Sequence, residues 1–181
     1  MKKFFLIVVC LLFVLCGCDS MMNTPTKKVE EFLNKYQMQD DEILSQLDNI
    51  IENGEYVFNQ EQKNAYSTLM KKQYKDLTYT IKEEMIDGNS AVVTVEIEVY
   101  DYNKEIKNAE EHYKLNPNEF KTTDGQLDNS KYMDYRIKLL ENTKDRIKYT
   151  LNLSLTKSNK KWILNNITES DRQKIHGLYN S

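Results

Sequence analysis

Two glutamates on a predicted β-strand are the first residues whose spacing could support chemistry. Glu96 and Glu98 lie two positions apart, so on a strand they share one face and are separated by about 6.6–7 Å. Carboxylates at that separation could flank a glycosidic bond or bind a cation. The same pair could instead keep one face of an antiparallel sheet hydrated and protect an edge strand. The sequence leaves both interpretations open.

The two histidines do not form a metal-binding pattern. His112 follows two glutamates, but the HExxH spacing that places two imidazoles on one helical face is absent. We expect His112 to be a solvated or edge residue. His176 precedes Gly177 near the carboxyl end, where fraying is expected. Because nucleophile elbows, phosphate loops, EF-hand loops and CxxC motifs are also missing from residues 19–181, we predict no metal and no cofactor.

The amino-terminal residues have the pattern of a targeting sequence. Lys2 and Lys3 precede an apolar run over residues 4–15, and residues 15–18 read Leu-Cys-Gly-Cys. A charged start followed by a short apolar run is typical of a signal peptide. As a helix the run would be about 18 Å long, which is too short for the roughly 30 Å hydrocarbon core of a bilayer.

The segment ending at Cys18 resembles the lipobox of bacterial lipoproteins. That resemblance implies cleavage before Cys18, a diacylglyceryl thioether on its thiol and acylation of the new amine. Several acyl chains would anchor the protein stably to the lipid bilayer. We therefore predict a lipoprotein signal peptide at residues 1–17, a lipidated tether at 18–24 and a cell-membrane location on the extracytoplasmic face. The alternative is an ordinary cleaved signal that ends in a chance cysteine.

The composition of the chain is typical of a folded protein. Of the 181 residues 40% are hydrophobic and 29% are charged, which disfavours a disordered or multi-span membrane protein. The formal net charge is -3, and loss of Lys2 and Lys3 with the signal would make it more negative by two units. An acidic domain has no electrostatic basis for binding nucleic acid, so we predict no nucleic-acid partner.

Hydrophobic periodicity predicts three helices before any strand. Thr24 and Pro25 begin the first, and Asp40 or Asp41 begins the second, for which Asn53-Gly54 is predicted to supply a left-handed stop. Asn59 and Gln62 resemble a capping box that begins the third helix.

After these helices the apolar period changes to two. Alternating residues predict strands over 77–81 and 91–99, joined at Asp87-Gly88-Asn89, and a second hairpin over 147–156 and 162–167. Between the hairpins, residues 103–115 and a segment from Asp128 or Ser130 predict two helices, with a loop at 116–129.

This order predicts an α+β domain over residues 25–181, with N-terminal helices packed on a curved antiparallel sheet and a helical insertion. At this level the layout resembles the NTF2-like, or cystatin-like, envelope lipoproteins of bacteria. The features that carry the resemblance are Thr24-Pro25 soon after the lipobox, the Asp87-Gly88 hairpin and the strand at Trp162. The resemblance implies a cone-shaped cavity, whose candidate lining residues are Tyr79, Tyr149, Trp162, Glu96 and Glu98.

Twelve tyrosines suit a half-hydrated surface that binds a partner or ligand, although each could also sit at the rim of a small core. We expect a non-enzymatic binding or assembly module whose partner is an envelope protein or a small molecule. The alternative is a small-molecule-binding, hydrolase or isomerase domain that uses Glu96, Glu98 or His112 inside the cone. A solute-binding component of a transporter is disfavoured because the chain is too short for two lobes.

Overall fold

The computed structural model describes residues 23–54 and 57–180. The predicted signal peptide, Cys18 and most of the tether lie outside the described residues. The described chain is an α+β structure with six α-helices and one four-stranded antiparallel sheet. None of the helices described is both long enough and apolar enough to span a membrane.

Three helices come first, as the periodicity predicts. They are α1 (Pro25–Gln37), α2 (Asp41–Asn53) and α3 (Gln60–Asp76). The side chain of Thr24 accepts a hydrogen bond from the backbone of Lys27, and Asn59 forms the predicted capping box with Gln62. These caps fix where α1 and α3 begin.

The predicted left-handed stop at Gly54 is wrong. Gly54 has φ of -75° and ψ of 178°, which is extended backbone that any residue can adopt. What restricts this position is space, because a Cβ atom there would collide with the carbonyl oxygen of Ile50.

The sheet consists of β1 (Thr78–Asp87), β2 (Ser90–Tyr100), β3 (Arg146–Ser158) and β4 (Lys161–Leu164) in the order β1-β2-β3-β4. Alternate residues of β2 are buried, so its apolar face meets α1 and α3 while the opposite face is more exposed. The buried residues of this inner face include Val93, Val95, Ile97, Leu151 and Leu153. The sheet is open, with β1 and β4 at its edges.

Tight turns join each hairpin. Gly88 has φ of 56°, as the predicted turn after β1 requires. Between β3 and β4, Asn159 and Lys160 both have positive φ, at 50° and 64°. Two consecutive positive φ values match a two-residue hairpin turn of type I′.

The helical insertion follows β2. It consists of α4 (Tyr102–Leu115), a 3₁₀ turn at Pro117–Phe120 and α5 (Asn129–Glu141). The predicted loop is thus partly ordered, because Phe120 is buried and an isolated bridge joins Lys121 to Leu127. The insertion packs on α3 through α5.

The sixth described helix is α6 (Glu169–His176), which was not predicted from the sequence. Thr168 caps it, and Gly177 ends it in the left-handed conformation with φ of 71°. Ile175 is fully buried in the main core, so the carboxyl end packs rather than frays. At Gly177 a Cβ atom would collide with the carbonyl oxygen of Tyr100 and the side chain of Gln73.

Candidate functional site

Glu96 and Glu98 lie on the exposed face of β2, away from the core. Glu96 accepts ion pairs at 3.3 Å from both Lys82 and Lys148, and Glu98 lies 3.3 Å from the Arg146 guanidinium. Hydrogen bonds from Lys148 and then Lys82 lower the pKa of Glu96, which keeps its carboxylate ionised. Each glutamate is therefore neutralised by cations on the neighbouring strands.

The aromatic pocket candidates lie on the inner face but at different places. Tyr79 and Tyr149 both pair with Ile97 across the strands. The hydroxyl of Tyr79 donates to Asn34 at 3.1 Å, and that of Tyr149 contacts the carbonyl oxygen of Tyr179 at 3.4 Å. Partial burial raises the pKa of both phenols. Each hydroxyl thus joins the sheet to a neighbouring segment.

Trp162 is 5% exposed and packs in the core at the other end of the inner face. Its partner across the strands is Lys157, whose ammonium lies 5.3 Å from the ring centroid. Lys157 is eight residues further along β3 than Tyr149, a separation of about 26 Å. The structure therefore does not gather Tyr79, Tyr149 and Trp162 around one cavity, and Glu96 and Glu98 occupy the opposite face.

His112 belongs to an aromatic cluster within the insertion. Its ring stacks on Tyr135 with centroids 4.9 Å apart, and its Nε2 atom lies 2.8 Å from a carboxylate oxygen of Glu119. Phe120 packs against both His112 and Tyr135. The imidazole is half-buried at the edge of this cluster, in agreement with the expected edge position.

His176 is buried, contrary to the expected fraying. Its Nε2 atom shares a hydrogen bond of 3.0 Å with the hydroxyl of Tyr74, and Gln73 donates to its carbonyl oxygen at 3.0 Å. Burial, followed by the nearby charge of Arg172, lowers the pKa of His176 to about 4. The imidazole is therefore neutral at pH 7 and joins α6 to α3.

A cleft of about 490 Å³ lies where the insertion meets the other helices. It is the candidate binding site because its walls are mainly apolar and a few polar groups converge on it. The apolar lining comes from α2, the residue before the α3 cap, α3, α4, α5 and the segment after α6: Ile50, Phe58, Tyr66, Ile106, Met133, Ile137, Leu140 and Leu178. Phe58 and Tyr66 stack with centroids 5.1 Å apart.

The polar groups of the cleft have both signs of charge. Glu110 comes from α4, Arg136 from α5, and Glu169 and Gln173 from α6. Arg136 is 8% exposed, and its guanidinium carbon lies 5.8 Å from the ring centroid of Tyr132. These groups could orient the polar end of a ligand whose apolar part contacts Met133 and Ile106.

Two other hollows are more polar. A groove of about 690 Å³ between α1, α2 and the segment after β4 is larger, but its rim consists mainly of charged and amide side chains. Two ion pairs of 2.7 Å, Lys28 with Glu31 and Lys35 with Glu42, already neutralise that rim. A smaller hollow of about 390 Å³ adjoins it beside Arg172. In none of the three hollows do the predicted pocket residues line a wall.

Sequence reasoning missed the cleft because no motif marks it. Its lining residues come from distant parts of the chain, and those on helices appear in the sequence only as ordinary apolar positions. Ile106 lies on the apolar side of the helix predicted over residues 103–115, but the sequence does not tell whether such a residue is fully covered. In residues 23–54 and 57–180, no group of three His, Cys, Asp or Glu side chains is placed to hold a metal ion.

The fold and the cleft define an α+β protein with an open sheet and an apolar hollow among its helices. No protein-family model matches the chain, and no curated protein matches it. A solved structure that it resembles is that of a predicted lipoprotein, ycdA, of Bacillus subtilis, with 12% identity and a TM-score of 0.41 over 91% of this chain. The chain spans about half of that structure, 51% of its length. A similarity of this size does not establish a shared fold or role.

Proposed function

We propose that this protein is a lipid-anchored bacterial envelope lipoprotein whose folded part is a non-enzymatic binding or assembly module. The observation that carries the proposal is the cleft among α2, α3, α4, α5 and α6, where apolar side chains, most of them half-buried, surround about 490 Å³. That volume is within the range of about 300–1,000 Å³ typical of ligand pockets. The occupant would be an apolar side chain of an envelope protein or a small amphipathic molecule.

The partners of the reactive side chains support a binding role over a catalytic one. Glu96 and Glu98 are paired with cations on the open face of the sheet. His176 is sealed in the core, and His112 is held by aromatic rings and Glu119. None of these four lines the cleft.

The cleft can be tested with the dye 1-anilinonaphthalene-8-sulfonate, whose rings fit an apolar wall and whose sulfonate suits an arginine. We expect saturable binding of one dye per chain, weakened about tenfold by Met133→Glu because a carboxylate would be placed among apolar groups. Met38→Glu is the matched control, since Met38 is 81% exposed and does not line the cleft. Equal dye binding by the two variants would contradict a binding site at the cleft.

The anchor is supported by the resemblance of residues 15–18 to a lipobox. We expect Cys18→Ala to abolish incorporation of labelled palmitate and to leave the uncleaved chain without its diacylglyceryl thioether. Cys16→Ala is the control, because alanine is a small residue and the Cys18 thiol remains. If Cys18→Ala still incorporates palmitate, the anchor is not at Cys18.

The NTF2-like or cystatin-like fold is also part of this proposal. Helices that precede an antiparallel sheet and cover one of its faces support it. The inner face differs from the implied open cone, because residues such as Val95, Ile97 and Leu151 are fully buried there. In this proposal the binding site lies beside the helical insertion and not on the inner face of the sheet.

A further inference from the structure

The start of the described chain is fixed to one end of the sheet. The side-chain amide of Asn23 donates to the carbonyl oxygen of Lys160 at 2.7 Å and accepts from the backbone N–H of Trp162 at 3.1 Å. These two bonds span the turn between β3 and β4. The described chain therefore begins beside this turn.

The position of Asn23 limits how far the domain can lie from an anchor at Cys18. Asn23 is five positions after Cys18, and even a fully extended chain over that distance reaches only about 18 Å. If Cys18 is lipidated, the end of the sheet that carries the two hairpin turns lies next to the bilayer. This step rests on the proposed lipid anchor.

The same end of the sheet carries three exposed lysines. Lys157 is the last β3 residue but one, Lys160 is in the turn and Lys161 begins β4. None of the three makes an ion pair with another described residue, so their ammonium groups carry uncompensated charge. The backbone N–H of Lys157 donates to the carbonyl oxygen of Asn89, so the β1–β2 turn lies beside them.

The charge of this end is opposite to that of the whole chain. Asp87, the last residue of β1, is the acidic residue next to this turn, against three lysines, although the formal net charge of the chain is -3. Lysines close to a bilayer are attracted to anionic headgroups, and the attraction acts only within about a Debye length. An acidic protein with one basic end is oriented by such a surface.

We propose that the end formed by Lys157, Lys160, Lys161 and the β1–β2 turn is a membrane-facing surface that contacts anionic lipid headgroups. The cleft is at the other end of the sheet. Asn103 of its lining follows Tyr100, and Tyr100 pairs with Arg146, eleven residues before Lys157. At about 3.3 Å per residue this separation is about 36 Å. The orientation therefore presents the cleft to partners away from the bilayer.

Fluorescence quenching tests the orientation on the mature, lipidated protein in vesicles. The native cysteines are Cys10, Cys16 and Cys18, so lipidation leaves no other thiol in the mature chain to compete with an introduced one. A nitrobenzoxadiazole label is placed at Asn89→Cys in the β1–β2 turn or at Lys144→Cys just before β3, and the quencher is a nitroxide on the lipid headgroup. Both positions are exposed. We expect at least about threefold stronger quenching at position 89, because position 144 would be about 40 Å further from the bilayer.

Lipid composition tests the lysines themselves. Adding about 30% phosphatidylglycerol to phosphatidylcholine vesicles should increase quenching at position 89, and about 1 M salt should remove the increase. The increase should be lost in the triple variant Lys157→Gln/Lys160→Gln/Lys161→Gln. It should persist in the control Lys75→Gln/Lys107→Gln/Lys138→Gln, whose lysines are exposed, form no ion pair with described residues and lie on the helices.

The outcomes separate this proposal from the anchor on which it rests. Mass spectrometry first reports whether Cys18 carries lipid, and a chain without lipid overturns the anchor and the orientation together. A lipidated chain with equal quenching at positions 89 and 144 overturns the orientation alone. An unchanged response to phosphatidylglycerol in the first triple variant overturns the contact between the lysines and the headgroups.

Discussion

Burial of His176 makes the stability of the fold depend on pH. The folded chain holds this imidazole neutral against Tyr74, and its pKa falls from the ordinary value of 6.5 to about 4. The unfolded chain therefore binds a proton between these two values that the folded chain does not bind. The contribution of the neutral His176 imidazole to the free energy of unfolding is fully present above pH 6.5 and is lost as the pH falls towards 4.

We expect the free energy of unfolding to fall by about 2.5 kcal/mol more in the native chain than in His176→Gln between pH 7 and about pH 4.5. Glutamine can still bond to Tyr74 but has no proton to gain. Urea denaturation at a series of pH values measures the difference. Parallel pH profiles for the native chain and His176→Gln would show that His176 is protonated without cost in the folded state.

At the scale of the elements, the sequence predicts what is local. The Thr24 cap, the Asn59–Gln62 capping box and the Gly88 turn depend on side chains within three residues of one another, so their patterns can be read directly. The α6 helix was not predicted because it has only eight residues and lies near the carboxyl end. Its stability comes from Ile175 and His176 packing against α3 and β2, which are distant in sequence.

The candidate site could not be predicted for a related reason. Placement of Glu96 and Glu98 on one strand face follows from their spacing, but their partners Lys82, Lys148 and Arg146 depend on how the strands are paired. The cleft depends on how α4 and α5 pack against α3, which periodicity does not specify. An apolar stripe predicts that one face of a helix packs against other elements. It does not show where that packing leaves a gap large enough to bind a ligand.

Asn23 protects an edge of the sheet. The backbone N–H of Trp162 lies on edge strand β4 and bonds to the Asn23 side chain instead of to another strand. We expect Asn23→Ala to speed hydrogen exchange at the Trp162 amide and to lower the free energy of unfolding by about 1 kcal/mol. Asn118→Ala is the control, since the Asn118 side chain is exposed and accepts a bond from the Lys121 side chain. Unchanged exchange at Trp162 would mean that Asn23 does not hold this edge.

At the scale of the whole molecule, the short tether and the basic end make separate contributions to orientation. The tether limits the distance from the bilayer whatever the lipid, whereas the lysines respond only to anionic lipid. An insertion of about 40 Gly/Ser residues after Asp19 would separate the two, because a flexible chain of that length has a root-mean-square span of about 35 Å. The insertion lies before Asn23 and should leave the unfolding free energy unchanged.

In phosphatidylcholine vesicles we expect the long-tethered protein to lose most of the headgroup quenching at position 89, since nothing then holds this end near the surface. With phosphatidylglycerol, quenching should return in part when Lys157, Lys160 and Lys161 are present, and not when all three are glutamine. Full quenching of the long-tethered protein in phosphatidylcholine would instead mean that apolar contacts hold this end. Met85 and Ile86, each 54% exposed near the β1–β2 turn, would then be the residues to replace.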